Sequence, residues 1–121
     1  MNETVREWIA KAEGDYRTAL RELQATGWPN YDAVCFHAQQ CVEKLMKAIL
    51  IYKGVVPPRT HDLAQLQQLL APLVEGWNWP VEELRFLTLA AVTFRYPGEA
   101  AGLDEANQAV CVCRRLRSNL L

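Results

Sequence analysis

An excess of positive charge is what this chain most plainly lacks. Lys and Arg total 13 against 14 Asp and Glu, for a formal net charge of −1. No global field exists to hold a polyanion, so any nucleic-acid contact must use a local patch. Long hydrophobic runs are missing too. The longest, "LTLAAVTF", has eight residues, far short of the roughly 20 that a membrane helix needs. The opening "MNETVREWIAKAEGDY" has neither the apolar region nor the cleavage pattern of a signal peptide. These absences predict a cytoplasmic protein with no membrane contact.

Paired metal-binding cysteines are also absent. Cys35, Cys41, Cys111 and Cys113 contain no C-x-x-C, and a reducing compartment argues against disulfides. Cys111 and Cys113 lie two apart on a predicted helix, so they point roughly 200° from each other and do not share a metal. The cysteines are expected to act as small buried apolar side chains. There is no Gly-rich phosphate loop, no H-E-x-x-H and no G-x-S-x-G. Two histidines and scattered acids are the material for acid–base work, and their spacing does not demand it. No catalytic residue, metal or cofactor is assigned.

What is present is helical periodicity. The 121 residues are half apolar, which suits one folded domain over 1–121. A first helix is predicted from Asn2 to about Gln24, on a stripe that includes Val5, Trp8, Ala12, Tyr16 and Leu23. A second runs from Tyr31 to about Lys53, with Gly54 ending it. Pro57 and Pro58 break the chain. Thr60 then caps a short helix from His61 to Leu70. A fourth helix is predicted from Pro80 to Phe94. It is apolar nearly all round and is therefore expected to be the most buried. A fifth runs from Leu103 to Asn119, with Leu103, Ala106, Val110, Cys113, Leu116 and Leu120 inward. No alternation long enough for a strand occurs. The fold class is all-α, an up-and-down bundle of four long helices with one short helix in the middle connection.

Four places invite a closer reading. On the second helix, His37, Gln40, Lys44 and Lys47 form a polar ribbon with Phe36 at its start. One reading is a solvated face in which Glu43 and Lys47 make an i,i+4 pair. The other is a second packing surface, a protomer or a ligand groove, which accounts for Phe36. Asp15 sits among Trp8, Ala12 and Ala19 on the first helix. It either reaches water at the stripe's edge or needs a partner, for which Lys44, Arg95 and a capping backbone are the candidates. "RTHDL" groups Arg59, His61 and Asp62 at a helix start, suited to phosphate or to ordinary capping. "FRYP" puts Arg95 and Tyr96 at a helix end, as a phosphate contact or as a C-terminal cation with a packed tyrosine.

Taken in order, "AEGDYRTA", "FHAQQCVEKLMKAIL", "THDL" and "FRYP" before a last helix resemble the HEPN domain family over nearly the whole chain. The resemblance implies a helical bundle that forms homodimers, associates with nucleotide or RNA, and is encoded beside a small nucleotidyltransferase in toxin–antitoxin-type pairs. Ribonuclease members carry an Arg followed four to six residues later by a His. Here no histidine follows Arg95, and His37 and His61 both precede it. The resemblance therefore points to the non-nuclease branch.

Three functions follow. The first is a nucleotide- or RNA-binding subunit partnered by a nucleotidyltransferase. In it Lys44, Lys47 and Arg95 contact phosphate, His37 and His61 donate hydrogen bonds, Gln40 and Arg59 border the site, and Phe36 or Tyr96 stacks on a base. The second is a ribonuclease toxin with an atypical site using Arg95 and a histidine. The third is a structural dimeric scaffold.

Overall fold

The computed structural model describes residues 2–121. Five helices follow one another: α1 (Glu3–Leu23), α2 (Tyr31–Tyr52), α3 (Leu63–Leu70), α4 (Val81–Thr93) and α5 (Leu103–Leu120). Among the described residues there is no strand. No helix among them is long and apolar enough to cross a membrane.

The helix boundaries have local causes. Asn2 Oδ1 accepts from the Val5 amide at 2.8 Å, and Asn30 Oδ1 from the Ala33 amide at 3.0 Å. Each satisfies an amide that the first turn of a helix leaves orphaned. At the end of α2, Gly54 takes a φ of 84°. Its amide donates to Ile51 and the Val55 amide donates to Leu50, both at 2.9 Å. This is the left-handed closure a glycine permits, and it is the one expected there. α3 starts later than its sequence suggested. Asp62, not Thr60, caps it by accepting from the Ala64 amide at 3.0 Å, while Thr60 accepts from the Asp62 amide at 3.1 Å. The two side chains divide the work of turning the chain, so His61 stays outside the helix.

The helix at the centre is α2, which packs against all four others. Twelve of its 22 residues are buried. The expectation that α4 would be the most buried fails: only Leu84, Leu87 and Ala90 are. The reason is geometric. α4 touches α2, α3 and α5, which leaves Leu89 and Val92 exposed on its outer side. Apolar composition says that a surface prefers cover, not that the same chain supplies it. Leu103 is likewise exposed rather than inward, at the first position of α5, whereas Ala106, Val110, Cys113 and Leu116 are buried as expected.

Ion pairs tie the bundle's edges. Arg117 forks onto Glu13 at 2.6 and 2.7 Å, and Arg115 reaches Glu83 at 2.6 Å. The cations at the end of α5 thus join it to α1 and α4 as well as matching the helix dipole. Of the cysteines, Cys111 is exposed, and the other three are buried.

Burial separates two leucines of α4. Leu84→Ala should lower unfolding stability by about 2–5 kcal/mol. Leu89→Ala should change it by no more than about 0.5 kcal/mol. Urea unfolding of both variants checks this. Equal losses would mean that the α4 outer face is covered in the protein as it exists in solution.

Candidate functional site

The polar residues of α2 are not a solvated face. Glu43 and Lys47 are 3% and 7% exposed, and Lys47 Nζ donates to Glu43 Oε2 at 2.9 Å. A lone buried carboxylate is very costly, so it must be neutralised and its lone pairs filled. Gln39 Nε2 donates to Glu43 at 3.0 Å and Gln40 Nε2 at 3.3 Å. His61 adds its Nδ1, 2.9 and 3.1 Å from the two carboxylate oxygens. Gln39 also donates to the His61 backbone carbonyl at 2.9 Å. His61 is therefore tied to α2 through both ring and backbone, though its side chain is largely exposed. Among the described residues no buried side-chain nitrogen or oxygen lacks a partner.

A second acid repeats the plan nearer the start of α2. Asp15 is buried on α1. It accepts from Lys44 Nζ at 2.6 Å and meets His37 Nδ1 at 2.8 Å. Of its three candidate partners, Lys44 is the one used, with His37 beside it. A carboxylate only accepts, so Nδ1 carries the hydrogen in both pairs and each Nε2 points away from its acid.

Phe36 and Arg95 stand between these two histidines. The Arg95 guanidinium lies 5.2 Å from the centroid of the Phe36 ring, a cation–π arrangement. Phe36 meets the His37 ring edge-on at 5.3 Å. Two hollows open on either side. The wider, about 340 Å³, is lined by Asn30, Asp32, Ala33, Phe36, His37, Ala91, Phe94 and Arg95. The narrower, about 220 Å³, is lined by Phe36, Gln39, Gln40, His61, Thr88, Ala91, Val92 and Arg95. They share Phe36, Ala91 and Arg95, so they form one divided groove between α2 and α4. This is why the aromatic stands beside the polar ribbon.

The groove gathers Phe36, His37, Gln40, His61 and Arg95. Lys44 faces a different hollow with Thr4, Glu7, Trp8 and Lys11. Lys47 points at Glu43 and lies 6.0 Å from the Trp8 ring centroid. Both lysines are engaged by acids, and their charge serves to neutralise them. Arg59 and Tyr96 are exposed and line neither hollow of the groove. Sequence reasoning missed Gln39, Asn30, Asp32 and Phe94. The signal for Gln39 was its place in Gln39–Glu43–Lys47, three polar residues four apart among apolar neighbours on a helix without a bare side.

Neither Cys35 nor Cys41 is poised as a nucleophile. Burial, aided by Asp32 and Glu105, pushes the Cys35 thiol up to about 11. A hydrogen bond with Cys113, then burial, raises that of Cys41. Both stay protonated thiols at neutral pH.

Burial alone would raise the pKa of Glu43, but hydrogen bonds from Lys47, Gln39 and His61 outweigh it and lower the value. The unfolded chain binds the proton more readily, near the ordinary value of about 4.3. The stability Glu43 contributes is thus complete above that pH and is lost as pH falls through the lowered folded value. Wild-type urea midpoints should drop more steeply below about pH 4 than those of Glu43→Gln. Lys47→Met, which leaves the carboxylate buried without its cation, should cost about 3–5 kcal/mol. Adding Glu43→Gln should restore part of it. A Lys47→Met loss below about 1 kcal/mol would mean a solvated pair.

Comparison with known proteins agrees with this architecture. The HEPN domain family profile matches residues 5–120. TT1696 from Thermus thermophilus, known from a crystal structure, superposes with a TM-score of 0.79 at 27% identity, covering 98% of this chain and 97% of that one. ST0689, an archaeal HEPN homologue, superposes with a TM-score of 0.67 at 22% identity over the full length of both chains, a likeness of fold. The protein "Putative toxin MJ1304" of Methanocaldococcus jannaschii is 43% identical over 49 residues. That match spans 40% of this chain and 30% of the relative. With a profile match over nearly its whole length and the same helical fold, this chain belongs to the HEPN domain family.

Proposed function

We propose that this chain is a nucleotide- or RNA-binding HEPN subunit of a toxin–antitoxin-type pair, acting with a small nucleotidyltransferase as partner. The observation that carries the reading is Arg95 held over Phe36 between two hollows, with a histidine in each. A guanidinium is the side chain best suited to phosphate. Aromatic and guanidinium planes beside it offer stacking for a base. The carboxylates under both histidines are matched by lysines, which leaves Asp32 as the acid that charges the wider half of the groove. The proposed ligand contacts are Arg95, His37 and His61, with Phe36 as the stacking ring. Lys44 and Lys47 keep the site's charge balance and do not touch the ligand.

A homodimer belongs to the same proposal. Leu89, Val92 and Tyr96 are exposed apolar residues of α4 and the turn after it, and Val92 also lines the narrower hollow. A second copy seated on that face would cover them and close the groove from the side. The name of the Methanocaldococcus relative supports the toxin part of the reading through its shared segment.

One observation favours a second reading, a ribonuclease. Both histidines are held through Nδ1 by a carboxylate, an arrangement that orients an imidazole for proton transfer at Nε2. Expression of the chain alone should then arrest growth, and His61→Ala should relieve the arrest. Normal growth with intact cellular RNA would leave the binding subunit as the reading.

Calorimetric titration with ATP tests the first reading. Saturable heat should appear at low salt and weaken as salt rises, because the contact is ionic. Arg95→Ala should reduce affinity on the order of tenfold or more, as expected for loss of a charge-assisted phosphate contact. Arg59→Ala, at an exposed cation that lines neither hollow, should leave affinity unchanged. Unchanged binding in Arg95→Ala would move the ligand out of this groove.

A further inference from the structure

The two hollows carry different charge, and this orients the ligand. Resting on the nucleotide reading above, we infer that a nucleoside phosphate lies across Arg95 with its base and sugar in the wider hollow and its phosphate in the narrower one. The wider hollow contains Asp32 and two aromatic rings, Phe36 and Phe94. Asp32 Oδ1 already accepts from the Ala101 amide at 2.7 Å, and its second oxygen remains an acceptor for a sugar hydroxyl or an exocyclic amine. The same carboxylate repels a phosphate. The narrower hollow is lined by no acid. Glu43 lies beneath it but is enclosed and neutralised by Lys47, whereas His61 and Arg95 reach its surface.

The donors available to a phosphate agree with this direction. Gln40 Nε2 is already committed to Gln39 and Glu43. The Thr88 hydroxyl donates to the Leu84 carbonyl at 3.0 Å and accepts from the Leu63 amide at 3.2 Å. The groups left for an anion are the Arg95 guanidinium and, in the imidazolium form that carries a hydrogen on both nitrogens, His61 Nε2, held outward because Nδ1 is on Glu43. His37 presents its own Nε2 on the other side of Phe36, where a base or ribose hydroxyl meets it. Glu43 and Asp15 are then positioning residues, each setting the direction of one imidazole.

The test is an NMR titration of the isotope-labelled full chain, in a phosphate-free buffer, with three probes: adenosine, inorganic phosphate and AMP. Adenosine should shift the amides of Asp32, Ala33 and Phe94. Inorganic phosphate should shift those of Gln40 and His61, and AMP should shift both groups. His61→Asn, whose amide stands where Nδ1 meets Glu43 and offers nothing in place of Nε2, should weaken inorganic phosphate and AMP on the order of tenfold and leave adenosine unchanged. Asp32→Asn, which keeps the acceptor for Ala101, should let inorganic phosphate shift the wider hollow as well. The orientation is overturned if inorganic phosphate shifts the Asp32 side in wild type, or if His61→Asn weakens adenosine as much as AMP. AMP binding in the reverse direction would sink this inference and leave the nucleotide reading standing. No shift of a groove amide by any of the three would overturn both.

Discussion

A carboxylate placed in the middle of the central helix is the constraint on which the rest depends. Glu43 is buried on α2, so it must be neutralised and fully hydrogen-bonded or the bundle loses several kcal/mol. Lys47 supplies the charge from the same helix, Gln39 and Gln40 supply amides, and His61 closes the shell from the next connection. The requirement thus reaches beyond α2. It sets where the chain after Pro57 and Pro58 must return, and it delivers an exposed imidazole to the mouth of a groove.

Asp15 applies the same logic between α1 and α2, with Lys44 neutralising it and His37 directed by it. The pairing gives two imidazoles whose Nδ1 positions are anchored by acids. Arg95 at the end of α4 then falls between them, over Phe36. The lysines and acids keep one another neutral, with Asp15, Glu43 and Lys47 buried and Lys44 half-buried beside Asp15. The histidines and the arginine lie nearer the surface and face the groove. Such a division gives a chain with no net positive charge a confined cationic spot.

Much of this was legible in sequence, residue by residue. Asn2, Asn30 and Gly54 are helix-end residues whose chemistry acts over a few positions, and the structure uses all three. The need of Asp15 for a partner was readable because a charge on an apolar stripe is a local contradiction. The role of Glu43 and Lys47 was not. On a helical wheel an i,i+4 acid–base pair looks the same in water and in a core. The state of α4 was misread for a related reason: its wheel is apolar all round, but the number of neighbours it meets is not written in it.

Sequence by itself determined the helices, their ends apart from the start of α3, the all-α class and the family, because periodicity, capping and ordered motifs are properties of neighbours along the chain. Tertiary structure alone decided that α2 is central, that Lys44 and Lys47 face acids, and that Asn30, Asp32 and Phe94 join Phe36 and Arg95 around one groove. Those outcomes rest on contacts between residues tens of positions apart. Whether a polar side chain is solvated or sealed in depends on which helix arrives opposite it, and the folded bundle settles that.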